Sequence, residues 1–514
     1  MQSRSYPPSS AFGSKLVFAI LFALSLCPIL LAPIPAMVDY PNHLARMFIL
    51  ARDGSPQASP FYQVAWAWYP NLAMDLLVPV LARFMSVETA TRLFYLVAQC
   101  LVVSGAVAIE VAVKRRFHIA GIIAVMFLYS LPFTWGFVNF EFGLGIALWG
   151  AACALYLQER AWPVRFAANA AFTVIIFFSH FFALGIYGTT IVVCELWRGW
   201  SRSAPVTETF TRLTLLAIPA LSLIGLMANS GGSIGGTGTA WHFALKPFWL
   251  LHILNGYSLL LSGISLVVLG VALYILRRRG EVKFEGAGPW LVAAFAVLYL
   301  ALPSKLFDTS FVDLRIPVAA ALILPAFVSI FPTDQRLKLG LAFTATAITA
   351  ANVILVTYVW TSYNEEYRTL IESFRRLEKN KLVLVGHSGD APDPPLNNLF
   401  EYPIYHAPTL AVHYATAFVP SLFTAPGKQP VTVRPAYGRL YVPYSGPAPV
   451  SILKKIAEGP MPADVPPFVR TWHRDYDYLY VVGAPGPNPI PALLEPMDSG
   501  RQFALYRVRK QSSR

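Results

Sequence analysis

From Leu16 to Val359 the chain is a series of apolar runs separated by short polar breaks. Beyond residue 360 the pattern changes to short alternating segments set between proline-rich stretches. A helix needs about 20 apolar residues to cross a hydrocarbon layer roughly 30 Å thick. On that scale the runs at 16–37, 91–113, 118–137, 140–157, 166–180, 181–197, 213–229, 249–276, 289–303, 315–331 and 338–359 predict about eleven crossings. After them a helical pattern over 363–378 leads to "LVLVG" (382–386), "YLYVVG" (478–483) and "FALYRV" (503–508), which read as strands. The expected fold class is an α-helical polytopic membrane protein over residues 1–360, followed by an α/β domain over 361–514.

One break is unusually long. In the loop 38–90, Pro41 suits a first helical turn, and Leu44, Met47, Phe48 and Ala51 share one face. Asn42, His43 and Arg46 lie on the other face, so the segment is expected to rest along the outer membrane surface. A second short helix, about 71–85, carries Asp75 and Arg83 among leucines and valines and reads as interfacial or re-entrant.

Composition sharpens this picture. With 56% hydrophobic and only 13% charged residues, the chain is not an ordinary soluble protein. The basic clusters Lys114-Arg115-Arg116 and Arg277-Arg278-Arg279 fall on the same side as the basic N-terminal tail. The positive-inside rule then places the N-terminus in the cytoplasm, and an odd number of crossings puts the C-terminal domain outside, as in a bacterial inner membrane. Orientation accounts for most of the net charge of +13, so no nucleic-acid partner is expected. Cys27, Cys100, Cys153 and Cys194 all fall within predicted spans, which argues against a disulfide framework, and no Asn-x-Ser/Thr sequon occurs. Residues 16–37 could pass for a cleaved signal ending at Ile34-Pro35-Ala36, but the crossings that follow favour a retained anchor.

Three motifs invite chemistry and fail on inspection. "NSGGSIGGTGT" (229–239) lacks the Gly-Lys-Ser/Thr ending of a phosphate-cradling loop and reads as a linker. "LVLVGHSGD" (382–390) resembles a hydrolase nucleophile elbow around Ser388, but Asp390 replaces the final glycine and "APDPP" follows where a helix should start. His387, His406, His413 and His473 show no metal-ligand spacing. Inside the membrane, Glu110 and Glu195 lie beside basic residues near the cytoplasmic helix ends, where pairing or snorkelling accounts for them.

"MVDYPNHLAR" (37–46) is different, because Asp39 stands where the first apolar run meets water. It could simply stabilise the positive end of the following helix, or it could meet lipid headgroups and water-borne molecules together. His43 and Arg46, one turn apart, could likewise touch a substrate or a headgroup.

The run "YPNLAMDLLVPVLARFMSVETATRLFYLVAQCLVVSGAVAIEVAVKRRF" (69–117) resembles the segment after the first outer loop in GT-C class membrane glycosyltransferases, close to the protein mannosyltransferase-like families. "YSLPFTWGFVNFEFG" (129–143), "FFSHFFALG" (177–185) and "DLRIPVAAALILP" (313–325) are similar to later motifs of that class in order and spacing. The resemblance implies a GT-C-like fold and transfer of a sugar from a polyprenyl-phosphate donor to a glycan, lipid or protein acceptor outside the cytoplasm. It implies Asp39 as catalytic base and Arg315 as the cation on the donor phosphate, and it places Asn139 and Glu141 near a polar patch that could orient the acceptor. Lys305 and His180 are further phosphate candidates beside the ordinary roles of a snorkelling lysine and an interfacial histidine, and His43 and Arg46 stay candidate substrate contacts. Such chemistry needs a proton acceptor and cations facing a departing phosphate. Two departures stand out: Tyr40 follows Asp39 where the family often has Glu, and no Arg flanks Glu141. These leave the acceptor class undetermined and a divalent cation unassigned. The rival expectations are a lipid-linked saccharide transporter, against which the lack of an internal repeat weighs, and a noncatalytic scaffold for envelope assembly.

Overall fold

A computed structural model describes residues 11–230, 238–389, 403–442, 446–459, 465–483 and 486–510. Most of the glycine-rich linker and the "APDPP" stretch lie outside them. Among the described residues, seven helices are long and apolar enough to span a membrane: Val87–Lys114, Val138–Tyr156, Trp162–Ser179, Phe181–Ser201, Val206–Asn229, Leu259–Arg278 and Gln335–Arg375. Shorter apolar helical segments cover Lys15–Leu31, Gly288–Ala301 and Arg315–Phe327. The chain is an integral, multi-pass membrane protein.

Local chemistry sets the helix ends. Ser86 starts Val87–Lys114 by accepting a hydrogen bond from the Thr89 N–H (3.2 Å), and Arg115 ends it in the left-handed region at φ 58°. Asp334 caps Gln335–Ser362 by accepting from the Arg336 N–H at 2.8 Å. The helices Val87–Lys114 and Val138–Tyr156 pack closely, and a Cβ added to Gly145 would stand 2.6 Å from the Leu101 Cβ.

The expected crossing at 118–137 is corrected. It breaks into Ala120–Met126 and Leu131–Trp135. Pro132 lacks an N–H and starts the second piece, and Gly136 at φ +113° stops it. The break folds the 130s into the centre of the protein, where Tyr129 accepts a hydrogen bond from the Gly256 N–H at 3.0 Å. The expected crossing at 249–276 likewise starts later, at Leu259, after short helical turns over 243–252.

The strands expected beyond residue 360 form as Val383–His387, Tyr478–Val482 and Phe503–Val508. They join Leu494–Gly500 and Ala448–Pro449 in one five-stranded sheet. Val383–His387 lies parallel to Tyr478–Val482, which pairs antiparallel with Phe503–Val508. This C-terminal part is tied to the first outer loop. Tyr62–Val64 pairs antiparallel with Val431–Val433, and the Tyr62 hydroxyl donates to the Val419 carbonyl.

That tie corrects the expected placement of the helix Tyr40–Arg52. Its apolar face is buried through Leu44 and Met47, but its polar face is covered too, with Asn42 and Arg46 both buried. The Asn42 side chain accepts from the Phe423 N–H (3.0 Å), and Arg46 donates to Gln429 (2.9 Å). A polar face that meets hydrogen-bond partners in the C-terminal part has no need of a membrane surface. The helix is therefore sandwiched inside the protein.

Candidate active site

Asp39 occupies the N-cap position of Tyr40–Arg52, yet its carboxylate makes no capping hydrogen bond. The backbone is pinned instead: its N–H donates to the Trp135 carbonyl (2.9 Å) and its carbonyl accepts from the His43 N–H (3.0 Å). Asp39 is buried against Gly136, where an added Cβ would stand 2.9 Å from the Asp39 Cβ. His43 binds the same turn, its Nε2 lying 3.2 Å from the Gly136 carbonyl.

Arg315 opens the helix Arg315–Ile323 and is buried. Its guanidinium lies over three rings, Phe137 (4.9 Å), Phe140 (5.3 Å) and Phe182 (4.9 Å), and Nη2 is 3.5 Å from the Ser310 carbonyl. Aromatic faces hold a cation without consuming its N–H donors. Nε and Nη1 accordingly make no hydrogen bond. The charge of Arg315 is within electrostatic reach of Glu141 and then of Asp39. Glu141 is also buried, and its Oε1 has no hydrogen-bond partner. His180 stands edge-on to Phe140 at 5.4 Å and also within reach of the Arg315 charge. Its imidazole accepts from the Phe182 N–H at 3.2 Å and so caps the helix Phe181–Ser201.

The fold thus gathers Asp39, Glu141, His180 and Arg315 from four separate segments. Other expected site residues are engaged elsewhere. Arg46 forks onto Asp75, with Nε–Oδ1 at 2.9 Å and Nη2–Oδ2 at 3.0 Å. Burial pushes the Asp75 carboxyl up and the Arg46 contact draws it back. Burial, reinforced by the nearby Arg46 charge, lowers His43 to about 3 against the weaker effect of its Gly136 hydrogen bond. His43 is therefore neutral at physiological pH. The Asn139 amide donates to the Asn71 carbonyl (2.7 Å) and accepts from the Met74 N–H (2.9 Å), stitching the 71–74 turn to the helix that carries Glu141. Lys305 is half-exposed in the hairpin Lys305–Leu306/Thr309–Ser310 and pairs with Asp308 at 2.8 Å. Among the described residues no three His, Cys, Asp or Glu side chains converge as a metal site would require.

Several contributors escaped the sequence reading. Phe137 and Phe140 sit three residues apart on one helical edge, a visible spacing, but their function as a cradle depends on Arg315 arriving from far along the chain. Asp313, two residues before Arg315, accepts from Lys246 Nζ (2.9 Å), Ser304 Oγ (2.9 Å) and the Leu314 N–H (3.0 Å). Lys246 in turn donates to the Tyr299 and Leu302 carbonyls at 2.7 and 2.8 Å.

The arrangement of the apolar helices and the C-terminal sheet region is shared with solved structures of ArnT. The solved structure of ArnT from Cupriavidus metallidurans bound to undecaprenyl phosphate is similar over 97% of this chain and 98% of that one, with a TM-score of 0.55 at 9% identity. The apo state of the same ArnT covers the same shares with a TM-score of 0.53 at 11% identity. No described protein family and no curated protein matches the sequence.

Proposed function

We propose that this protein is a membrane glycosyltransferase that moves a sugar from a polyprenyl-phosphate donor to an acceptor hydroxyl on the extracytoplasmic face. The observation that carries the proposal is the convergence of two buried carboxylates, Asp39 and Glu141, on an arginine whose N–H donors are largely unused. A buried, under-bonded guanidinium is costly unless a ligand completes it. The undecaprenyl phosphate bound to ArnT, whose fold this chain shares, is the kind of anion a polyprenyl-phosphate donor would release.

The acceptor oxygen attacks the anomeric carbon, and its proton passes to the Asp39 carboxylate. As the new C–O bond forms, the bond from the anomeric carbon to the phosphate oxygen breaks and its electron pair stays with the phosphate. Arg315 faces the negative charge that grows there. Phe137, Phe140 and Phe182 keep the guanidinium in place without competing for its hydrogens. Glu141 balances the Arg315 charge and can orient the acceptor hydroxyl, while His180 stands as a secondary phosphate contact and Lys305 stays paired with Asp308. His43 acts through Gly136 on the placement of Asp39, and Arg46 and Asn139 hold the outer loop that carries the site. The direct test is transfer of labelled sugar from polyprenyl-phosphate donors by the purified protein and by Asp39→Asn. Wild-type transfer by a correctly folded Asp39→Asn protein would defeat the proposal.

A further inference from the structure

A basic cavity lies at the other end of the helices that build the candidate site. The helix Trp162–Ser179 has His180 at one end and Arg165 near the other, and Phe181–Ser201 runs from His180 back to Arg198. At about 1.5 Å per residue, this separates the cavity from His180 by roughly 22–27 Å, close to the thickness of the hydrocarbon layer. The cavity holds about 350 Å³, within the usual range for small-ligand sites. Its lining includes Arg160, Trp162, Arg165, Arg198 and Arg212, with Glu159 as the acidic member.

These arginines are arranged for more than mutual pairing. Arg198 is buried, and its Nη2 donates to the Gln158 carbonyl at 2.5 Å. Its Nε and Nη1 make no hydrogen bond, and Glu195 stands off at 3.7 Å from Nη1. Arg165 pairs with Glu195 while its guanidinium lies over the Trp162 ring at 5.3 Å, and Arg212 pairs with Glu208 along its own helix. Even counting Glu195 and Glu208 with Glu159, the four arginines leave a positive excess. A tryptophan beside a basic pocket is the combination expected at headgroup depth.

We propose that this cavity binds a phosphate anion, supplied by the headgroup of an anionic phospholipid in the leaflet opposite Asp39. Arg198 donates the hydrogens its carboxylate neighbours leave unused, and Arg212 and Arg160 close over the phosphate from the rim.

The full-length protein is reconstituted with phosphatidylcholine alone or with added phosphatidylglycerol, and retained lipid is measured by native mass spectrometry. Wild type should retain phosphatidylglycerol over phosphatidylcholine. Arg212→Gln, which leaves the buried pairs intact, should weaken that preference about fivefold, and Arg198→Gln at least as much. Arg336→Gln, outside the cavity, should leave it unchanged. If inorganic phosphate strips the retained lipid and stabilises the wild type but not Arg212→Gln, the site reads the phosphate group itself, and free phosphate is a second source. Equal retention of both lipids by wild type, or unchanged preference in both cavity variants, overturns the proposal and leaves the arginines as orientation signals.

Discussion

Lys246 and Asp313 form a buried ion pair of 2.9 Å two residues ahead of Arg315. The lysine also donates to two backbone carbonyls, so one ammonium fixes the end of the Gly288–Ala301 helix and the turn that presents the arginine. Removing one partner of a buried pair strands the other and typically costs about 3–5 kcal/mol. Lys246→Met is therefore expected to lower the thermal unfolding midpoint and to reduce sugar transfer. The double variant Lys246→Met/Asp313→Leu should recover much of the lost stability. A double variant as unstable as the single one would show that the ion pair is not the cause.

Asp39→Asn keeps the size of the side chain and removes the proton acceptor. Transfer should fall by about 10²–10⁴-fold, the usual contribution of general acid–base catalysis, while donor binding changes little. Single-turnover assays under saturating donor measure the two separately.

Arg315→Ala removes the cation from the departing phosphate and should cost on the order of 10²–10³ in turnover. Arg315→Lys should recover only part of it, since a compact ammonium cannot lie flat against three rings and still present several directed donors. Rates for a series of donors with better leaving groups test this, because the Arg315→Ala deficit should shrink as the leaving group improves.

Gly136→Ala places a methyl group where the Asp39 side chain stands and forces a non-glycine residue to φ +113°. Backbone strain of this kind costs of order 1–3 kcal/mol. The variant should fold, with a lower unfolding midpoint, and lose transfer because Asp39 is displaced. Wild-type turnover in Gly136→Ala would contradict the tight coupling between this turn and the carboxylate.

His43 has its pKa lowered from 6.5 to about 3 by burial and by Arg46. Between those values the unfolded chain binds a proton that the folded protein does not, so stability rises with pH across the window. The contribution is fully present above about pH 6.5 and is lost as the pH falls toward 3. His43→Gln should flatten the fall of the unfolding midpoint on acidification relative to wild type. An unchanged slope would mean that other groups carry it.

Much of this protein was legible from residue order alone, because a membrane imposes a length on apolar helices and an alternating sheet imposes a period on strands. The long spans, the strands near 383, 478 and 503, and the pairing of Glu110 with Lys114 and Glu195 with Arg198 all follow local rules. Asp39 could be singled out as an acid at a boundary, but not distinguished from a helix cap. That its carboxylate makes no capping bond and that its Cβ lies against the turn at Gly136 are visible only in the folded chain. Apolarity alone could not predict the break at Pro132, since a proline and a glycine matter more there than hydrophobic content. Nor could local pattern reveal that Tyr62–Val64 finds its partner at Val431–Val433 and thereby covers the polar face of the Tyr40–Arg52 helix. The meeting of Asp39, Glu141, His180 and Arg315 belongs wholly to tertiary structure. Charges from distant segments become one site only when packing removes water from between them, and packing depends on the whole chain.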